Sequence, residues 1–191
     1  MDKTIIKLTE DYVKNIFIDQ EPGHDYLHIE RVRKMALLIS QSVESDLFLV
    51  EMLALLHDVE DHKLNHNYRV KDFLDSVNIS RECKDKILSI LPYMSFSKYP
   101  HLDESFPIEG KIVIDADRLD AIGAIGIARA FSYGGYKNRR MYGDKESTVH
   151  HFEEKLLILD KTLYLEESKR IAEKRMKFLK EFYEEFLLET K

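Results

Sequence analysis

The chain has one cysteine, Cys83, in 191 residues, so it cannot close a disulfide on itself, and a reducing compartment is expected. Four prolines and seven glycines are too few for a linker or repeat built on either, and suit a compact helical protein. Tryptophan is absent, which decides nothing. No run approaches the ~20 apolar residues of a membrane span, and Asp2, Glu10 and Asp11 interrupt the N-terminus where a signal peptide would be apolar. Nor is there a basic block. The formal net charge of −6 argues against sequence-independent binding of extended nucleic acid, but a small phosphorylated substrate needs only a local cationic pocket. The expectation is a soluble, cytoplasmic, single-domain protein, long enough to bury a core without staples.

What is present is helical periodicity. Residues 4–18 place Ile5, Leu8, Tyr12 and Ile16 on one stripe, and Glu21-Pro22-Gly23 ends that helix. A second helix is expected from about His24 to Val43, with His28, Val32, Met35 and Ile39 on its inner face. Ser45 is the expected N-cap of a third, with Asp46 in its first turn. Further helices follow around Val70–Val77, after Ser80, and from Pro107 through Asp120. Residues 123–130 are rich in small side chains that allow close approach. Gly134-Gly135 is expected to open a polar, basic loop over 133–145; Ser147 or Thr148 could cap the next helix, and a last one spans about Leu165–Leu188. No alternating strand pattern appears, so the fold class expected is all-α.

The chain is organised around Leu53–Lys63. Val50, Leu53, Ala54 and His57 fall at i, i+3, i+4 and i+7, so His57 ends an apolar stripe with Asp58 beside it. His28 begins such a stripe, and an acid interrupts another within Asp115-Ala116-Asp117-Arg118-Leu119-Asp120. Buried polar groups need compensation, and a divalent cation satisfies imidazole and carboxylate together. For the dipeptide alone, a solvated helix end is the simpler reading; three inward polar sites on three helices favour a shared ion. Periodicity does not separate Asp115 from Asp117, since one follows Ile108 and Ile112 and the other Val113.

His28-Ile29-Glu30-Arg31-Val32, His57-Asp58 and Ala116-Asp117-Arg118-Leu119 together resemble the HD superfamily of metal-dependent phosphohydrolases, whose pattern is His … His-Asp … Asp on a helical core. Ser95-Phe96-Ser97-Lys98, the run from Ile114 to Arg129 and Tyr133-Gly134-Gly135 narrow the likeness to a small bacterial subfamily, some members of which are nucleoside-triphosphate pyrophosphohydrolases. The resemblance implies a single HD-type helical bundle over 1–191, with a motif core of about 24–130 and C-terminal helices over 147–188 packed on it. It implies His28, His57, Asp58 and Asp117 as metal ligands, with Asp117 chosen over Asp115 by its place in the family pattern alone.

From the same likeness, Asp61 is the candidate to orient or deprotonate the attacking water, and Lys63 a candidate phosphate contact. His24, Lys98, Arg118, Arg129 and Lys137 are the candidate substrate-binding residues, though each such cation, taken alone, is more often a surface charge or a structural ion pair. The expected cofactor is one divalent ion, with Mn²⁺ favoured over Mg²⁺, Co²⁺, Ni²⁺ or Fe²⁺. The expected reaction is hydrolysis of a (d)NTP to NMP and pyrophosphate. Alternatives are a 5′-nucleotidase or other small-phosphoester hydrolase on the same site, an HD-fold diiron oxygenase, or a non-catalytic nucleotide-binding regulator. His62, His66 and His101 are available to the oxygenase by count but in no recognisable pattern, and Glu60-Asp61 stand one position too early for a guanosine-tetraphosphate hydrolase. The partner expected is a small phosphorylated molecule, a nucleotide, with no membrane or extended nucleic acid and a monomeric or homodimeric state.

Overall fold

The computed structural model describes residues 2–18, 25–60, 68–95, 98–99 and 101–191, and among them it is helical with no strand. The α-helices are α1 (Asp2–Phe17), α2 (Tyr26–Ile39), α3 (Leu47–Leu56), α4 (Val70–Ser76), α5 (Arg81–Ile90), α6 (Ile108–Asp120), α7 (Gly123–Tyr136), α8 (Thr148–Glu154) and α9 (Glu166–Glu189). Short 3-10 turns follow α2, α5 and α8. None of these helices is long and apolar enough to cross a membrane. The chain gathers into two compact units, one containing α1 to α5 and α6 as far as Ile114, the other running from Asp115 to the C-terminus.

In the first unit α3 is the central element, packed by α1 and α2. Every residue from Leu49 to Leu56 except Glu51 is buried. A helix apolar nearly all round must be enclosed rather than laid on a surface, so the single stripe expected from its spacing understates the burial. Its N-cap is Asp46, whose carboxylate accepts the Leu49 N–H at 3.1 Å. The cap therefore falls one residue beyond the expected Ser45, because the aspartate carboxylate reaches the third amide of the helix. At its other end α3 stops at Leu56, leaving His57 as the C-cap and Asp58 beyond it. Asp25 caps α2 by accepting the His28 N–H at 2.9 Å. Ser80 caps α5 as expected, accepting from Cys83 N–H at 3.2 Å.

In the second unit α7 and α9 pack together around Phe131, Phe152, Phe182 and Phe186, whose rings stand about each other at 5.8 to 6.1 Å. α7 continues through Gly134 and Gly135 to Tyr136, so the loop expected from 133 begins later. Gly134 is buried there, and a Cβ at that position would stand 2.1 Å from the Thr148 hydroxyl. The pair Gly134-Gly135 thus admits α8 rather than breaking α7. Ser147 caps α8, accepting the His150 N–H at 3.3 Å. The helix that follows is split at Lys155 (φ −133°, ψ −58°) into α8 and a 3-10 turn over Leu156–Thr162.

Candidate metal centre

His28 and Asp58 reach their places by different routes. His28 lies in the first turn of α2, where the Asp25 cap fixes the backbone, and it is 1% exposed. His57 and Asp58 leave the end of α3 in a turn closed by the Val59 N–H on the Leu56 carbonyl at 3.1 Å. His57 Nδ1 lies 2.9 Å from the Ala54 carbonyl oxygen, which places the proton on Nδ1 and turns the Nε2 lone pair outward.

That Nε2 lies 3.3 Å from His28 Nε2 and 3.4 Å from Asp58 Oδ1, while His28 Nε2 is 3.4 Å from Asp58 Oδ2. Among the described residues, His28, His57 and Asp58 form the group of potential metal ligands, each offering one atom within 4.8 Å of the others. Adjacent ligands of an octahedral ion with bonds of about 2.1 Å stand roughly 3 Å apart, so the spacing suits a small divalent cation. The donor set fits as well: two imidazole nitrogens and a carboxylate oxygen make a mixed nitrogen–oxygen set of the kind that binds a divalent cation.

The other residues singled out in the sequence fall as follows. Asp117 is half-buried on the last turn of α6, in the second unit. Its rival Asp115 is fully buried in the same unit, accepting the Tyr164 N–H at 3.0 Å and the Leu165 N–H at 2.9 Å. Burial pushes the Asp115 carboxyl above the usual range, and these two amides pull it back. Asp115 thereby caps α9, whose own N-cap, Leu165, has no side chain able to do so. Arg118, also buried, donates to the Thr162 carbonyl and lies 5.3 Å from the Tyr164 ring. Arg129 donates to the Asp120 carboxylate at 2.7 Å. Arg118 and Arg129, read as substrate contacts, thus hold internal partners.

Lys98 is exposed, and Lys137 lies over the Tyr136 ring at 4.8 Å. His24, Asp61 and Lys63 lie outside the described residues, as do His62 and His66. His101 is exposed. Cys83 is half-buried, and burial pushes its thiol up, the opposite of what a nucleophile needs.

Two further side chains hold helix ends by hydrogen bonds. Glu60 accepts the Val70 N–H at 3.1 Å, and Arg175 of α9 donates to the Leu119 carbonyl at the end of α6. Neither bond has a local sequence signal, since its partners are brought together by the fold.

The chain is similar to known proteins in sequence and fold. The HD domain family matches residues 25–122. The chain is 41% identical over 177 residues to the YpgQ protein of Bacillus subtilis, covering 90% of this chain and 86% of that one. The crystal structure of Bacillus subtilis YpgQ in complex with ADP superposes with a TM-score of 0.85 at 36% identity, covering 97% of this chain and 94% of that one. An HD-superfamily hydrolase from Bacillus thuringiensis superposes with a TM-score of 0.79 at 38% identity, over 99% and 98% of the two chains.

Proposed function

The chain belongs to the HD domain family, whose fold implies divalent-metal binding, and on that premise we propose that it is a metal-dependent phosphohydrolase that cleaves (d)NTPs to NMP and pyrophosphate. The observation that carries the reading is the convergence of His28, His57 and Asp58 on one point. That a relative is crystallised with ADP supports a nucleotide as the substrate. Asp117 completes the ligand set by its place in the family pattern, and Asp115, fully engaged with backbone amides, is the weaker candidate. Mn²⁺ is the ion favoured, because two imidazoles and two carboxylates form a mixed nitrogen–oxygen set with room left for water and substrate.

Such an ion supplies Lewis acidity, lowering the pKa of water and neutralising charge on phosphate oxygens. The chain's own residues supply the rest. Ala54 accepts from His57 Nδ1, which leaves Nε2 as the ring nitrogen presented to the ion. Asp61 orients or deprotonates the attacking water, and Lys63, His24, Lys98 and Lys137 are the side chains proposed to hold or screen the phosphate chain. Arg118 and Arg129 are better assigned to the fold, given their internal partners.

Turnover of nucleoside mono-, di- and triphosphates with Mn²⁺, resolving phosphate from pyrophosphate, tests the reading. Pyrophosphate from triphosphates is the expected product. Orthophosphate from monophosphates would keep the site but make the protein a nucleotidase. Oxygen consumption with bound iron, and no phosphoester hydrolysis, would overturn the proposal. Asp58→Ala and His57→Ala are expected to abolish hydrolysis while circular dichroism shows the helical content unchanged.

A further inference from the structure

The segment that bears His57 and Asp58 is not helical: α3 ends at Leu56, and His57 to Glu60 is turn. A bare turn is a poor platform for two ligands unless something outside it fixes its course. One support is local, the Val59 N–H on Leu56 together with a Val59 side chain that is fully buried. The other is Glu60, whose Oε1 accepts the N–H of Val70, the first residue of α4. That amide is one of the donors every helix start leaves without an internal partner, and α4 supplies no cap of its own because its N-cap is Arg69. A carboxylate there also meets the positive end of the helix dipole. The start of α4 is in turn anchored to α1: Tyr12 stacks on Phe73 at 4.2 Å, and its hydroxyl donates to the Arg69 carbonyl at 3.5 Å.

We propose that Glu60 is a positioning residue of the metal centre, fixing the His57–Asp58 turn by capping α4 in place of the missing local cap. The inference rests on His57 and Asp58 being metal ligands. In this role Glu60 is a hydrogen-bond acceptor, and an acceptor and a general base make opposite demands. An acceptor is preserved by Glu60→Gln and disabled by loss of the Val70 N–H. A base is disabled by Glu60→Gln and indifferent to Val70.

Val70→Pro removes that N–H from the far side of the bond. Proline suits the first helical position, and Arg69 (φ −125°, ψ 125°) already has the extended backbone that a residue before proline adopts. The experiment is Mn²⁺ titration calorimetry on the full-length, metal-stripped protein, with thermal unfolding as the check on folding. Glu60→Ala and Val70→Pro are each expected to weaken Mn²⁺ binding about tenfold, the range seen when support behind a ligand is lost. The double variant should be no weaker than either single, and Glu60→Gln should bind close to wild type. Hydrogen exchange at the Val70 amide should accelerate in Glu60→Ala and not in Glu60→Gln.

Wild-type affinity in Glu60→Ala would overturn the inference. So would a Glu60→Gln variant as damaged as Glu60→Ala beside an unaffected Val70→Pro. If Glu60→Ala does not fold, Val70→Pro against Glu60→Gln makes the same decision. Asp58→Ala tests the reading beneath: unchanged Mn²⁺ binding there removes the ligand assignment and this inference with it. Loss of binding in Asp58→Ala with none in Glu60→Ala removes this inference alone.

Discussion

Glu10 and Asp115 are carboxylates that the fold treats in opposite ways. The Lys14 ammonium donates to Glu10 at 2.6 Å and the Tyr26 hydroxyl at 3.0 Å, and the lysine contact above all holds the Glu10 carboxyl down to about 2. A carboxyl lowered in the folded state from the ordinary 4.5 stabilises fully above that value and ceases to do so as pH falls through about 2. Glu10→Gln should therefore lower the melting temperature near neutral pH, with the difference from wild type vanishing as pH approaches about 2. A gap that persisted at that pH would mean the charge is not what Glu10 contributes.

For Asp115 the sign reverses, since burial raises its carboxyl above 3.8 and its contribution diminishes as pH rises through that raised value. Its hydrogen bonds are a separate matter. Asp115→Ala leaves the Tyr164 and Leu165 amides without their acceptor and should destabilise by about 3 kcal/mol in chemical denaturation, each orphaned amide costing roughly 1–3 kcal/mol.

Among the elements, α7 and its approach to Ala121 give the sharpest expectation. A Cβ on Gly126 would stand 2.2 Å from the Ala121 carbonyl oxygen, a backbone atom that cannot swing aside. Gly126→Ala should cost about 2–3 kcal/mol or reshape the α6–α7 elbow, whereas Gly135→Ala, with nothing within 4 Å of its Cβ position, should be close to neutral or stabilising. Paired denaturation curves check both.

The small residues of 123–130 were legible in the sequence as sites of close approach, though not what they approach: at Gly126 the neighbour is the preceding turn, at Gly123 it is Arg175. Helix existence was legible throughout because apolar spacing is local. Ends were less so. The cap at Asp46 rather than Ser45, the extension of α7 and the break at Lys155 depend on which neighbour each turn meets. His28, His57 and Asp58 could be read because His28 opens an apolar stripe and His57, with Asp58 beside it, closes another; Glu60 with Val70, and Asp115 with Tyr164, could not, because nothing periodic links such pairs.

At the scale of the whole molecule, an ion bound only by the native state stabilises it by mass action. With Mn²⁺ at about 100 times its dissociation constant the gain is about 2.7 kcal/mol, worth roughly 5–10 °C in melting temperature for a chain of this size. Wild type should show that shift in a thermal scan, reversed by chelator, and Asp58→Ala should not. An equal shift in both would place the binding elsewhere.

The C-terminal half of α6 also sets an order in time. Its polar groups are met by residues made later: Arg118 by Thr162, Asp115 by Tyr164 and Leu165, and the Leu119 carbonyl by Arg175, which is 56 positions further on. At about 5–20 residues per second of translation, the interval to Arg175 is roughly 3–11 s. During it the nascent chain carries a buried-type aspartate and arginine with no interior to receive them. His28, His57 and Asp58, by contrast, have all been synthesised by the time the ribosome reaches residue 60. A growing chain of this protein holds its imidazoles early, while Asp115 and Arg118 wait for partners some fifty residues further on.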